Sequence, residues 1–196
     1  MEEQPKLTCE LVPSNQWGTN LRSVLAPKVW DTLRKACYER AGHKCEVCGG
    51  VGRKHPVECH EIWEYQDGPE WRQTLTGLVA LCPNCHKVKH IGFAFTQGDR
   101  PFMAALNHLA KVNGWSPTKT YDYVNTQFQI HSLRSQQKWL INLDWLDNMQ
   151  QYIDETPRHA MLTHAKRNLA TIEAIARSRE ARQKRLSELS TERPTE

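Results

Sequence analysis

The chain has 196 residues and a formal net charge of +4 at pH 7. This length suffices for one compact domain or for a small domain with a helical extension, and the mild positive charge permits a nucleic-acid partner without requiring one. There is no run of about eighteen consecutive apolar residues and no apolar leader, so we expect a cytoplasmic protein without a membrane span.

The N-terminal part of the chain is predicted to form an arm followed by a helix. Residues 1–25 contain two prolines and a glycine but few periodic apolar positions, which favours an extended arm that lies across the rest of the protein. From Pro27, apolar side chains recur at helical spacing as far as Ala41, and Gly42 follows as a C-terminal stop. This helix is followed directly by the segment that contains Cys45.

The middle of the chain is predicted to form two strands and a helix. Residues 56–65 are rich in Val, Ile, Trp and Tyr, which favours a strand, and residues 78–81 favour a second, shorter strand. Pro83 is suited to the first turn of a helix, and residues 84–91 carry polar groups at helical spacing. The expected order is therefore strand, loop, strand and helix.

The remainder of the chain is predicted to be helical. A helix over residues 100–112 is followed by Asn113 and Gly114, which favour a C-terminal stop. Ser116 and Pro117 then favour the start of another helix, because serine caps a helix N-terminus and proline fits its first turn.

Four of the seven cysteines form two C-x-x-C pairs, Cys45 with Cys48 and Cys82 with Cys85. Zinc prefers four tetrahedral ligands, and two such pairs present four thiolates whose loops close around one ion. In a reducing compartment, cysteines are more often metal ligands than disulfide partners. We therefore expect a closed, structural zinc site with no open coordination position for water.

A histidine on the first predicted strand, in E-C-H-E, and the run L-C-P-N-C-H-K-V-K-H leading into a helix resemble the HNH endonucleases. The resemblance covers residues 30–93 and implies a ββα-metal core with a treble-clef-like zinc site, which cuts phosphodiester bonds with one divalent ion. It implies that His60 is the general base that activates water and that His86 binds the catalytic ion. His90 shares the helical face of His86 and is expected to assist with the ion or the phosphate.

Two positions depart from the family pattern. The residue before the general base is usually an Asp or His that ligates the ion, but here it is Cys59, a soft ligand that suits Mg²⁺ poorly. Three nearby glutamates are candidates to replace it: Glu58, Glu61 and Glu64. Glu61 is preferred because it adjoins His60. The middle asparagine of the motif falls near Gly77, which has no side chain to orient the base.

The expected fold class is α+β and predominantly helical, with a small ββα-metal zinc core. Four segments are predicted: the N-terminal arm (1–25), the zinc domain (26–98), a helical extension packed on it (99–156) and a basic C-terminal helix (157–196). Arginines and lysines dominate a short stretch of the last segment, which favours contact with phosphates.

Two functions are open at this point. The first is a metal-dependent HNH-type endonuclease acting on nucleic acid, DNA more than RNA, with a structural Zn²⁺ and a second divalent ion (Mg²⁺, Mn²⁺, Ni²⁺ or Zn²⁺). The alternative is a catalytically degenerate, zinc-stabilised module that binds nucleic acid or protein, which Cys59 and Gly77 favour. For a nucleic-acid partner, eight basic residues are candidates to contact phosphates, with solvated surface charges as the alternative: Arg53, Lys87, Lys89, Arg177, Arg179, Arg182, Lys184 and Arg185.

Overall fold

A computed structural model describes residues 4–152, together with Arg167 and Leu169. Within these residues the protein is an α+β structure, about half helical, with one three-stranded sheet. The predicted fold class is therefore confirmed at this level.

Six helices and three strands are present among the described residues. The helices are α1 (Leu21–Val24), α2 (Pro27–Arg40), α3 (Pro83–Lys89), α4 (Ile91–Thr96), α5 (Asp99–Asn113) and α6 (Pro117–Arg134). The strands are β1 (Glu58–Gln66), β2 (Arg72–Leu81) and β3 (Leu140–Asn142). Two 3₁₀ segments, Ser14–Gln16 and Asp144–Tyr152, complete the regular structure of this part of the chain.

Local sequence signals account for the long helices. α2 begins with Pro27 in its first turn, because the fixed φ of proline suits that position. α5 ends before Gly114, whose φ of 66° lies in the left-handed region that favours glycine. The Ser116 side chain caps α6 by accepting a hydrogen bond from the backbone N–H of Lys119. These three predicted helices are therefore confirmed.

Three features differ from the prediction. β2 begins at Arg72 and not at residue 78, and buried Gln73 and Leu75 lie in the segment that the sequence predicts to be a loop. β3 was not predicted, since a strand of three residues carries little local signal and forms only by pairing with Arg72–Thr74. α3 stops at His90, whose backbone (φ −97°, ψ 41°) leaves the helical region before α4 starts.

β1 and β2 form an antiparallel hairpin, with Glu58 opposite Leu81 and Gln66 opposite Arg72. The register shifts between Ile62 and Trp63, where β2 carries an extra residue. Because side chains alternate along a strand, Glu58 and His60 lie on one face of the hairpin and the residue between them lies on the other.

The sheet separates two hydrophobic cores. One face packs on α1 and α2, and its core includes Leu21, Val24, Leu33, Leu75, Leu78 and Ala80. The other face packs on the N-terminal arm and α3–α6, and its core includes Leu7, Leu81, Val88, Ile91, Leu109 and three of the paired cysteines. Burial of each leucine side chain stabilises the fold by roughly 1.5–3 kcal/mol.

The N-terminal arm is packed into the second core. Residues 4–13 have no helix or strand, yet the Leu7 side chain is fully buried. Its backbone N–H donates to Asn113 Oδ1 (3.0 Å), and Asn113 Nδ2 donates back to the Leu7 carbonyl (2.9 Å). The backbone N–H of Glu10 donates to the carbonyl of Lys89 (2.9 Å). The arm thus bridges α3 and α5.

In the described part of the chain, no helix is long and apolar enough to cross a membrane. Of the predicted C-terminal helix, the structure describes only Arg167 and Leu169, both helical. The five basic residues predicted to form a phosphate-binding arm lie outside the described residues: Arg177, Arg179, Arg182, Lys184 and Arg185.

Candidate metal centre

The two C-x-x-C pairs come together as the sequence predicted. The four thiol sulfurs of Cys45, Cys48, Cys82 and Cys85 all lie within 4.8 Å of one another. Cys48 Sγ and Cys82 Sγ are 3.7 Å apart. Four sulfurs placed tetrahedrally at about 2.3 Å from a zinc ion would be separated by roughly 3.8 Å. The cluster is therefore compatible with a structural zinc ion.

The loop before β1 holds the first pair in a tight turn. Its chain reverses at Gly49, whose φ of 71° is left-handed, and Gly49 N–H donates to the Cys45 carbonyl (2.8 Å). Cys45 N–H donates in turn to the carbonyl of Gly50 (3.0 Å). Glu46 fastens this turn to β2, because its backbone N–H donates to the carbonyl of Ala80 (2.9 Å).

The second pair lies where β2 passes into α3. Cys82 is the residue before the helix, and its sulfur accepts a hydrogen bond from the backbone N–H of Cys85 (3.5 Å). Burial, followed by the neighbouring thiols, raises the pKa of Cys85. A buried sulfur of this kind ionises when a cation offsets its charge, which is the role of zinc in a closed tetrathiolate site.

A second cluster lies beside the first and consists of His60, His86 and His90. One ligand nitrogen from each ring lies within 4.8 Å of the others, and the Nε2 atoms of His86 and His90 are 3.1 Å apart. Nitrogens bound at 2.0–2.1 Å to one ion are separated by roughly 3.0–3.4 Å at the usual coordination angles. The His86–His90 pair therefore has the spacing of two ligands of one divalent ion.

Two carboxylates hydrogen-bond to ring nitrogens of His86 and His60. Glu58 Oε2 lies 2.6 Å from His86 Nδ1, and Glu10 Oε2 lies 2.9 Å from His60 Nε2. An ionised carboxylate can only accept in such a pair, and in a neutral imidazole the other ring nitrogen then keeps its lone pair. A carboxylate behind a histidine in this way fixes the ring and raises its basicity as a ligand.

The electrostatics around His86 and His90 favour neutral imidazoles. Loss of solvation, followed by the neighbouring histidines, lowers the pKa of His90, although part of its ring remains exposed to solvent. Burial and His60 also lower the pKa of His86, against the opposing effect of Glu58. A neutral imidazole is the form that binds a metal ion.

Glu10 carries the buried negative charge of the site. Burial by itself would raise the pKa of Glu10, but hydrogen bonds and charge attraction from His60 and Lys89 outweigh it and lower the pKa. Lys89 Nζ donates to Glu10 Oε1 (2.7 Å) and to Thr8 Oγ1 (2.8 Å). The cluster therefore includes a carboxylate supplied from far away in the sequence.

The structure corrects two ligands predicted on β1. Cys59 and Glu61 lie on the face of the strand opposite His60, because successive side chains alternate. The Glu61 carboxylate accepts hydrogen bonds from the backbone N–H of Leu21 (2.8 Å) and from Trp63 Nε1 (3.0 Å), while Cys59 packs against the first core. Adjacency to His60 in the sequence therefore does not bring either side chain to the histidine cluster.

A third correction concerns Lys89, which was predicted to contact a phosphate. Its side chain is buried by the N-terminal arm and bound within the protein, so it is not on the surface. Arg53 and Lys87 are exposed, and their contact with phosphate stays a prediction. Gly77 lies opposite Ile62 at the register shift of the hairpin, where it offers no side chain to the cluster.

Sequence reasoning missed Glu10 and left Glu58 as a lesser choice. Glu58 had a usable signal, because a residue two positions before His60 lies on the same face of a strand. Glu10 had none, since it is fifty residues from His60 in the sequence and reaches it only because the arm packs on α3.

α3 joins the two clusters, since Cys85 belongs to one and the next residue, His86, belongs to the other. Comparisons of the chain with models of known protein families, with curated proteins and with solved structures found no match.

Proposed function

We propose that the protein is a metal-dependent endonuclease of the HNH type, which hydrolyses phosphodiester bonds in nucleic acid. We favour DNA over RNA as the substrate. The observation that carries the proposal is the convergence of His60, His86 and His90 beside a four-cysteine cluster, with two ring nitrogens 3.1 Å apart. The succession of an antiparallel hairpin and a helix, β1–β2–α3, supports the same assignment.

The histidines of the cluster and Glu58 have separate proposed roles. His86 and His90 would hold a divalent ion, and Glu58 fixes the His86 ring through its bond to Nδ1. When bound, the ion offsets the charge that develops on the phosphate and on the leaving oxygen. His60 takes the proton from the attacking water, a task that suits imidazole at neutral pH.

The four-cysteine cluster is proposed to bind Zn²⁺ as a structural element. Its four ligands fill the coordination sphere, so no position is left for water or substrate. Catalysis therefore belongs to the histidine cluster, and exposed Arg53 and Lys87 are proposed to position the neighbouring phosphates.

A second candidate function is a zinc-stabilised module that binds nucleic acid or protein without cleaving it. Two observations favour it: Cys59 and Glu61 face away from the histidines, and Gly77 has no side chain to orient a base. Such a module would retain the zinc site and lack turnover.

The two functions are separated by a cleavage assay with plasmid DNA, single-stranded DNA and RNA in the presence of Mg²⁺, Mn²⁺, Ni²⁺ or Zn²⁺. We expect cleavage by the wild type and a loss of about 10²–10⁴-fold in kcat for His60→Ala, the usual contribution of a general base. His55→Ala changes an exposed histidine outside the cluster and should cleave like the wild type.

Ion binding provides the complementary test. His86→Ala and His90→Ala should each lose the second ion in calorimetric titrations with Ni²⁺, whereas His60→Ala should bind it. Loss of the ion in His60→Ala would make His60 a third ligand instead of the base. Absence of cleavage by the wild type with every ion and substrate would favour the binding module.

A further inference from the structure

Glu10 is an unusual neighbour for the histidine cluster because it belongs to the N-terminal arm. Its side chain is 16% exposed, and both of its oxygens are engaged: Oε2 with His60 Nε2 (2.9 Å) and Oε1 with Lys89 Nζ (2.7 Å). His60 itself is 6% exposed, so water offers its ring few alternative partners.

We propose that Glu10 is a positioning residue for His60, supplied to the site by the N-terminal arm. The proposal rests on the proposed function, since it assigns the orientation of the base of that reaction. An ionised carboxylate has no hydrogen to donate, so in the His60–Glu10 bond the ring nitrogen Nε2 must carry the proton. Nδ1 then keeps the lone pair that accepts the proton of water.

Lys89 holds the carboxylate in the place that this role requires. It donates to Glu10 Oε1 and to Thr8 Oγ1, and its carbonyl accepts the backbone N–H of Glu10. Lys89 is the last residue of α3 and precedes His90. The arm and the helix that carries the ion ligands are thus joined at the carboxylate that orients the base.

Docking of the arm does not by itself require the contact with His60. Leu7 is buried and bound to Asn113 through two hydrogen bonds, and Glu10 already pairs with Lys89. The second oxygen of Glu10 nevertheless binds the imidazole. A carboxylate that only anchored the arm would leave the tautomer of His60 unconstrained.

The first measurement needs no variant. In the full-length protein with zinc in the cysteine cluster, ¹H–¹⁵N correlation spectra of the imidazole rings report which nitrogen of His60 carries hydrogen. We expect the Nε2–H tautomer, and finding the Nδ1–H tautomer would overturn the proposal.

The second measurement uses Glu10→Gln, with Asn113→Ala as the matched control. Glutamine replaces one of the two carboxylate oxygens by an NH2 group that can only donate, so it cannot accept from His60 and Lys89 through two separate atoms as the carboxylate does. We expect mixed His60 tautomers and a fall of about 10–100-fold in kcat, with KM within about twofold of the wild type. Asn113→Ala loosens the arm at Leu7 and leaves the carboxylate in place, so it should keep the tautomer and the wild-type kcat.

The outcomes separate this proposal from the proposed function. If the wild type cleaves and Glu10→Gln has the same kcat, the positioning role is wrong while the nuclease assignment stands. If both variants lose kcat equally, docking of the arm and not the carboxylate controls turnover, which also overturns the role. If the wild type cleaves no substrate with any ion, the nuclease assignment fails and the role of Glu10 in catalysis fails with it.

Discussion

His60 and His86 each hydrogen-bond to a carboxylate through one ring nitrogen. In the described part of the chain, His90 hydrogen-bonds to His86 and to no carboxylate, and the two Nε2 atoms are 3.1 Å apart. Without an ion, a neutral His90 that carries its hydrogen on Nε2 donates a hydrogen bond to Nε2 of His86. The distance between these nitrogens is thus compatible both with this hydrogen bond and with two ligands of one ion.

Glu61 gives a prediction for the pH dependence of stability. Burial raises the pKa of Glu61 from its ordinary value of 4.5 to about 7, against the hydrogen bonds from the backbone of Leu21 and from Trp63. A carboxyl whose pKa is raised by folding binds more protons in the folded state between those two values, so its contribution to stability falls as pH rises through that window.

We therefore compare the wild type with Glu61→Gln, which cannot ionise. Between pH 5 and pH 7 the wild type should lose stability relative to the variant by up to about 1.4 kcal/mol per pH unit. Urea unfolding at pH 5, 6 and 7 measures this difference, and the histidines cancel because both proteins contain them. Glu64→Gln, an exposed change on the same strand, should follow the wild type. A difference between wild type and Glu61→Gln that does not vary with pH would contradict the prediction.

Elements whose signals are local could be predicted, and elements that depend on distant partners could not. Pro27, Gly114 and Ser116 act on their own helix ends, so the sequence located α2, the end of α5 and the start of α6. β3 forms only because β2 offers it an edge, and its three residues carry no pattern of their own. For the same reason, the extra length of β2 could not be predicted from the sequence.

The N-terminal arm shows what packing adds to an element without regular structure. Leu7 is fully buried in the second core, and burial of this one side chain ties the arm to α5. Leu7→Ala should reduce the free energy of unfolding by about 2–5 kcal/mol, because it leaves a cavity where the leucine packs.

Urea unfolding of Leu7→Ala checks this value. Leu133→Ala is the control, since Leu133 is 61% exposed and its loss should change stability by less than about 0.5 kcal/mol. If the two variants were equally stable, the arm would not be a packed part of the fold, and the position of Glu10 would lose its support.

At the scale of the whole molecule, the candidate site is assembled from four separate parts of the chain: the arm, the loop before β1, the hairpin and α3. The cysteine spacing predicted one cluster, and the i, i+4 spacing of His86 and His90 predicted part of the other. The carboxylate of Glu10 depends on the packing of the arm, which no pattern of residues near it reveals.

Removal of zinc should therefore have consequences beyond the cysteine loop. Three of the four cysteines belong to the second core, and Cys85 adjoins His86. Since thiolates without an ion repel each other, we expect the proposed binding of zinc to contribute directly to the stability of this half of the protein. We expect a strong chelator, or Cys48→Ser, to lower the thermal midpoint followed by circular dichroism by more than about 10 °C, a shift that corresponds to a few kcal/mol at this size.

Elemental analysis completes this prediction. The wild type should retain at least one equivalent of zinc after dialysis, and Cys48→Ser should lose it. Cys59→Ser is the matched control, because Cys59 lies on the face of β1 opposite His60, outside the four-cysteine cluster, and its loss should leave the zinc content unchanged. If the wild type contained no zinc and its thermal midpoint did not change when a chelator was added, the structural zinc site would be contradicted.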